Sequence, residues 1–525
     1  MNFLSNKTLS IIVASHLLIL CGCGGGSSSP ITNTTPISNN DLTWVAGTFS
    51  PAQEFENLCE DQSGGSALAE KLWLRSWIDD TYLWYNEVDD KDPAPFSVLE
   101  YFDELKTTAI TASGKPKDEF HFSMSTEEWE QLTQSGASVG YGLNIHLEQG
   151  NNTDRKVTIT YTEPDSPAAT ANISRGTVIV KVDGVSVANA NSQADIDTLN
   201  AGLFPSDAGK ETIFTLEKLG TNERTEISLT AQTIVSTPVQ NVKTLTTENG
   251  KVGYLQFNSH IATAEKGLVD AVTQLQSENI TDLVVDLRYN GGGLLALASQ
   301  LGYMIAGDNT ENKVFETLTF NDKHQVTDPV TGRALEPAPF YKQTLGFNPD
   351  LLTEGQNLPS LNLNRVFVLT TANTCSASES LMNGLRGINV EVVQIGDTTC
   401  GKPYGFYPTP NCGTTYFAVQ FKGENEQGFG EYADGFIPSE FPTLETEVQG
   451  CVVDDDFTHA LGDNNEALLS AALTYSESDS RTCPPAPAAR SARKASLNLY
   501  DPALLIQDNR SQTIFTNNRI INVNH

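Results

Sequence analysis

The sequence predicts an α/β body preceded by a small β-rich region and a helical N-terminal region. Three observations carry this. From about Lys251 to Thr443, short β-type runs alternate with helical patterns, the pattern of parallel strands covered by helices. From 134 to 233, strand-like runs are separated by turn signals. From 43 to 132, apolar residues recur at near-helical spacing.

The elements follow in order. Leu68, Leu72, Trp73, Trp77 and Ile78 define a helix with a tryptophan-rich face, and core packing explains that face better than a sugar or lipid platform. Next come Val157–Tyr161, Thr177–Val182 and Ile213–Leu216 as strands, with Asp183-Gly184 as a turn. In the 240–475 body, strands are expected at 253–257, 283–287, 366–369 and 390–395. Helices are expected at 263–275, 294–305 and 376–385, and 312–362 reads as a loop-rich insertion. Residues 476–525 carry a Pro/Ala-rich run and an Asn-rich end, and read as a loosely packed tail.

The chain has 525 residues and a formal net charge of -33. Such a surface repels nucleic acid and anionic lipid headgroups, so neither is expected as a partner. At the N-terminus, Lys7 precedes an apolar run, Leu9 to Leu20. The run is too short to span a bilayer and has the form of a signal-peptide core. Leu20-Cys21-Gly22-Cys23 resembles a bacterial lipobox. That resemblance implies removal of residues 1–22, lipidation of Cys23, and a periplasmic protein held to a membrane by its N-terminal anchor alone. Gly24, where aspartate would signal inner-membrane retention, implies the outer membrane. Residues 23–42 then form an uncharged tether. Export implies an oxidising compartment. Cys400–Cys412 and Cys451–Cys483 are the expected disulfides. There is no CxxC pair and the histidines are scattered, so no metal site and no cofactor is expected.

Ser376-Ala377-Ser378-Glu379 fits a capping box, in which serine and glutamate satisfy each other's backbone N–H groups. A serine at a helix start also suits acyl transfer, because the helix N-terminus favours a developing oxyanion. The four residues fit both readings. Asp286 to Gly293 (DLRYNGGG) follows a buried strand, and its glycines let backbone approach a substrate. Lys402 stands between Gly401 and Pro403 after another strand. It is either a surface lysine or, if desolvated, a neutral general base.

Together these three stretches resemble the C-terminal processing peptidases, the S41 serine peptidases, in order and spacing. Asp165 to Val187 resembles a bacterial-protease PDZ domain, with Gly140, Tyr141, Gly142 and Leu143 at its carboxylate-binding loop. Asn172 and Thr177 depart from the usual glycine and aspartate there. The resemblance implies a crotonase-like (ClpP/crotonase-type) α/β core and a serine endopeptidase. It implies Ser376 as nucleophile, Lys402 as general base, and the N–H groups of Ala377 and Gly293 as oxyanion hole. Its substrates would be periplasmic proteins or peptides with accessible apolar C-termini. Many members carry a glutamine four residues after the lysine. Here it is Phe406, so orientation of Lys402 must come from elsewhere, with Glu379 a candidate. His260, at a strand end, is read as solvated or as the base of a Ser/His pair. Cys375 is read as a small buried residue. The competing functional readings are a weakly active or inactive lipoprotein that binds apolar ligands or peptide C-termini, and a scaffold that uses only its PDZ-like region.

Overall fold

Seven strands form the central sheet of the computed structural model, in the spatial order 239–247, 250–257, 282–286, 365–370, 391–396, 447–452 and 437–439. The first pair is antiparallel and every later pairing is parallel. The structure describes residues 42–61, 65–149, 155–477, 483 and the backbone of 518–520. The expected signal peptide, the lipidation site Cys23 and the tether lie outside the described residues.

The inner strands read as continuous apolar runs because both faces are covered. Val366, Phe367, Val368 and Leu369 are all fully buried. Alternation sorts them between two cores. Val366 and Val368 pack with the helices Ala264–Ser277, Leu295–Ala306 and Ala377–Gly387. Phe367 and Leu369 pack with the helix Ala467–Glu477. The strands Asp282–Asp286, Arg365–Thr370 and Glu391–Gly396 are neighbours and run the same way. Their carboxyl ends therefore open on one side of the sheet, where open α/β sheets place their sites.

The β-rich body has its own core, including Val157, Ile159, Ile179, Val182, Ile196 and Phe214. Its strands run in the order 143–149, 155–162, 178–182, 211–217, 224–230. Asp183 and Gly184 have φ of +47° and +82°, so the predicted turn joins Val178–Val182 to Val185–Ser186. Asn172 has φ +55°, a region that asparagine tolerates better than most residues.

In the N-terminal region Ser66 caps the helix Ala67–Thr81, accepting from Ala69 N at 3.1 Å. Trp73 and Trp77 stack at 5.5 Å and are buried, so they are core, as expected. The strand Phe122–Ser125 pairs with Thr414–Phe417. A Cys59–Cys412 disulfide joins these regions across 353 residues. This corrects the expected Cys400–Cys412 bridge; Cys400 pairs with Cys375 instead. Cys451–Cys483 forms as expected. Within the expected tail, Glu477 ends a helix, Cys483 is cross-linked and Asn518–Ile520 is a strand; the rest of 476–525 lies outside the described residues.

Candidate active site

The first loop leaves the sheet after Asp286. Its Arg288 is fully buried and keeps its charge through three carboxylates: Asp286 at 2.9 Å, Glu466 at 2.8 and 3.0 Å, and Asp455 at 2.8 Å. Arg175 of the β-rich body reaches the same cluster, with Asp455 and the Tyr289 hydroxyl both at 2.6 Å. Asn290 is the loop's main joint. Its Oδ1 accepts from Gly292 N at 2.9 Å, and its Nδ2 donates to Phe257 O at 2.9 Å. Its carbonyl accepts from Cys375 N at 3.1 Å and from Ser378 Oγ at 3.0 Å. Asn290 therefore ties the glycine loop to the segment that carries Ser376. Gly293 has φ +130°, and a Cβ there would lie 2.4 Å from His260 O. Only glycine fits.

The second loop leaves Thr370 and ends at Ser376, directly before the helix Ala377–Gly387. Ser376 has φ +59° and ψ −113°, a conformation a non-glycine residue keeps only when its surroundings impose it. Two neighbours impose it here. Ser376 N donates to Glu379 Oε2 at 2.8 Å, and Cys375 is cross-linked to Cys400. The capping box is half made. Glu379 reaches back to the serine N–H, while Ser376 Oγ is buried without a hydrogen-bond partner.

The third loop leaves Gly396 and brings Lys402. Glu379 is buried and holds this loop too. It accepts from Thr399 Oγ1 at 2.5 Å, Gly401 N at 2.9 Å and Lys402 N at 2.9 Å. Because Ser376 N and Lys402 N share Oε2, the two backbones lie side by side. Glu379 thus positions both residues through their main chains and makes no hydrogen bond to the lysine amine. Burial raises its own pKa, and these hydrogen bonds oppose the rise.

Lys402 is not a surface lysine. It is fully buried, and its Nζ has no hydrogen-bond partner. Nζ sits 4.6 Å from the Phe120 ring centre and 4.4 Å from that of Phe406. Burial holds its pKa well below 10.5, and the charges of Asp118 and Glu379 only partly offset this. Asp118 is itself engaged by the Tyr82 hydroxyl at 2.6 Å and by Phe120 N at 2.8 Å. Nζ and the Ser376 Oγ are not hydrogen-bonded to each other; catalytic bonds often tighten only when substrate arrives.

His260 is buried, not solvated. Its Nδ1 meets Asn290 Oδ1 at 3.0 Å, and burial lowers its pKa to about 4. Its backbone bridges Gly293. Cys375, Glu379 and Cys400 have the spacing of a metal cluster among the described residues, but both sulfurs are spent in the disulfide.

A groove runs from the β-rich body towards these loops. It is lined by Gly140, Tyr141, Gly142 and Leu143 on one side and by Ser259, Tyr289 and Asn373 on the other. The Tyr141 side chain is buried and donates to Thr212 Oγ1 at 2.7 Å, so it anchors the loop within its own core. Gly142 has φ +75°.

Sequence reasoning overlooked Asn290, Phe120, Asp118 and the Cys375–Cys400 bridge. The asparagine lay inside the motif already singled out. The aromatic wall comes from the N-terminal region, and no local pattern announces it.

The fold and loops are those of a crotonase-like α/β core carrying a small PDZ-type body. Residues 251–410 match the model of peptidase family S41, and residues 131–202 match that of the PDZ domain. Over these two segments the chain is similar to peptidase family S41 and, ahead of it, to the PDZ domain. The carboxyl-terminal-processing protease of Picosynechococcus sp. is 28% identical over 279 residues, covering 52% of this chain and 56% of that protein. The chloroplastic C-terminal processing peptidase of Tetradesmus obliquus is 31% identical over 183 residues, covering 33% and 38%. The matches therefore span about half or less of these relatives' length. A solved putative S41 protease from Bacteroides fragilis superposes with a TM-score of 0.57 at 24% identity, covering 77% of this chain and 97% of that one. That likeness concerns the fold.

Proposed function

We propose that this chain is a serine endopeptidase of the C-terminal processing type, with Ser376 as nucleophile and Lys402 as general base. The observation that carries the reading is the state of Lys402. Burial without a carboxylate partner holds the pKa of this amine well below 10.5 and so favours its neutral form, and its backbone is fastened beside that of Ser376. A neutral amine can take the hydroxyl proton that serine does not give up by itself.

In this mechanism Ser376 Oγ attacks the scissile carbonyl while Lys402 Nζ takes the Oγ proton. The oxyanion forms at the N–H groups of Ala377 and Gly293. The C–N bond breaks, the leaving amine takes the proton from Lys402, and an acyl-enzyme remains. Water, deprotonated by Lys402, then attacks the ester; the C–Oγ bond breaks, Lys402 returns the proton to Ser376 Oγ, and the acid product leaves. The PDZ domain engages the substrate's apolar C-terminus at the Gly140–Leu143 loop, by strand addition and backbone N–H groups. Its groove, shared with Tyr289 and Asn373, supports a role in delivery. Substrates are periplasmic proteins, met by an enzyme anchored to the outer membrane through Cys23.

The missing Oγ–Nζ hydrogen bond favours a second reading: a binding protein that retains peptide C-termini without cutting them. Incubation of an unstructured protein with parent, Ser376→Ala and Lys402→Ala chains separates the two. The peptidase reading expects cleavage by the parent only, with all three showing the same circular dichroism. Equal cleavage by either variant contradicts the assigned roles; no cleavage by the parent, with peptide still bound, favours the second reading.

A further inference from the structure

We propose that Phe120 and Phe406, assisted by the carboxylate of Asp118, form a receiving site for the ammonium that Lys402 becomes when it takes the serine proton. The proposal rests on the peptidase reading above and deepens it. The three act as positioning residues, and two of them come from the N-terminal region.

The chemistry sets the need. Burial among apolar groups keeps an amine neutral, but the same burial penalises the ammonium it must become. Lys402 Nζ has no hydrogen-bond partner, and Phe406 stands where the resemblance expects a glutamine. What faces the amine is aromatic: the Phe406 ring centre lies at 4.4 Å and that of Phe120 at 4.6 Å. A cation within about 6 Å of a ring centre is attracted by the ring's negative face, more strongly where water is excluded. A neutral amine carries no such charge. The rings therefore favour the form that exists only once the proton has moved, which is the selective stabilisation that lowers a barrier.

Both rings are held in place. Phe406 is fully buried, with Phe417 at 5.2 Å and Phe122 at 6.1 Å. Phe120 N donates to Asp118 Oδ1 at 2.8 Å, and the Tyr82 hydroxyl donates to Asp118 Oδ2 at 2.6 Å. The strand Phe122–Ser125 follows at once and is paired with Thr414–Phe417, so the N-terminal region is fixed to the core beside the amine. Two carboxylates favour the charged amine, Asp118 and then Glu379. The oxygens of Glu379 are occupied by Ser376 N, Thr399 Oγ1, Gly401 N and Lys402 N. The other titratable groups nearby are Tyr404, with its pKa raised by burial to about 12, Tyr82, also raised by burial, and His121. His121 Nδ1 lies 3.9 Å from Asp118, and burial lowers its pKa to about 4. None of these three is charged near neutral pH.

The test measures kcat and KM against pH, with an unstructured protein as substrate. Phe120→Leu and Phe406→Leu keep apolar bulk and remove the ring face. Each should lower kcat about tenfold at unchanged KM and move the acid limb to lower pH by about one unit. The sign follows from the ammonium: with less support for it, the folded pKa of Lys402 falls and the base stays neutral further into acid. Asp118→Asn should move the limb the same way, and Phe406→Gln, which offers the amine an acceptor, should keep most of the parental kcat. A merely structural role lowers the rate and leaves the limb where it was. A limb that stays in place, or moves to higher pH, in both leucine variants overturns the proposal. A second readout is independent of cleavage: the stability difference between Lys402 and Lys402→Met chains in a Ser376→Ala background, followed from pH 4 to 10. The pH below which that difference stops changing marks the folded pKa of the amine, and Phe120→Leu should shift it downwards. A downward shift there, with no hydrolysis by any form, sustains the site for the ammonium and removes the peptidase reading. No shift, in a protein that hydrolyses its substrate, removes the receiving site alone.

Discussion

Replacing Lys402 with methionine should cost the protein its activity and make its fold more stable. Methionine has similar length and no donor, and it would lie between the Phe120 and Phe406 rings that now flank the amine. The neutral amine is buried without a partner, which costs about 1–3 kcal/mol. The methionine variant is therefore more stable by about that amount where the amine is neutral in both states. Below pH 10.5 the unfolded chain takes up a proton that the fold refuses, because burial holds the folded pKa well below that value. The parent then loses stability relative to the variant by about 1.4 kcal/mol for each pH unit. The loss continues down to the folded pKa, below which the two curves run parallel. The assay is denaturant unfolding at pH 7, 8, 9 and 10, with both proteins in a Ser376→Ala background so that neither digests itself. A stability difference that stays constant across this range would mean that the folded lysine carries its proton throughout, and the argument for a neutral base would fail.

Other expected outcomes concern the scaffold. Glu379→Ala leaves Ser376 N, Gly401 N, Lys402 N and Thr399 Oγ1 without their acceptor. It should cost about 3 kcal/mol or more in denaturant unfolding, since each orphaned donor costs about 1–3 kcal/mol; Glu379→Gln should cost less. Gly293→Ala puts a Cβ 2.4 Å from His260 O and would displace the N–H proposed as an oxyanion donor. The expected loss in kcat is about 100-fold to 1,000-fold, and an unchanged kcat would remove Gly293 from that role. Replacing both Cys375 and Cys400 with serine frees the Ser376 loop from the Lys402 loop. The expected loss is about 3 kcal/mol in stability, together with a fall in kcat at unchanged KM.

The fold was legible where local pattern and burial agree. Val366 to Leu369 reads as a buried strand because helices cover both faces of the sheet. The turn at Asp183-Gly184 is legible because few other dipeptides take two consecutive positive φ values. Ser376 and Lys402 were marked by their stretches, but the capping-box pattern could not reveal that Glu379 would also grip the Lys402 loop. Cysteine pairing was illegible because it depends on which loops meet at the sheet's carboxyl edge. Cys375 and Cys400 meet there because their strands are neighbours, and Cys59 reaches Cys412 because the N-terminal region packs across the core. The substitution of Phe406 for the family's glutamine takes on meaning only beside Phe120, whose ring faces the same amine.

The pH dependence of kcat/KM for peptide hydrolysis tests the central claim most directly. A base that must be neutral switches off as pH falls through its folded pKa, so the account predicts a plateau that begins well below pH 10.5, with an acid limb beneath it. A rate that climbs steadily to about pH 10.4, the ordinary lysine value, would show that Lys402 is charged under working conditions and that Ser376 has no base.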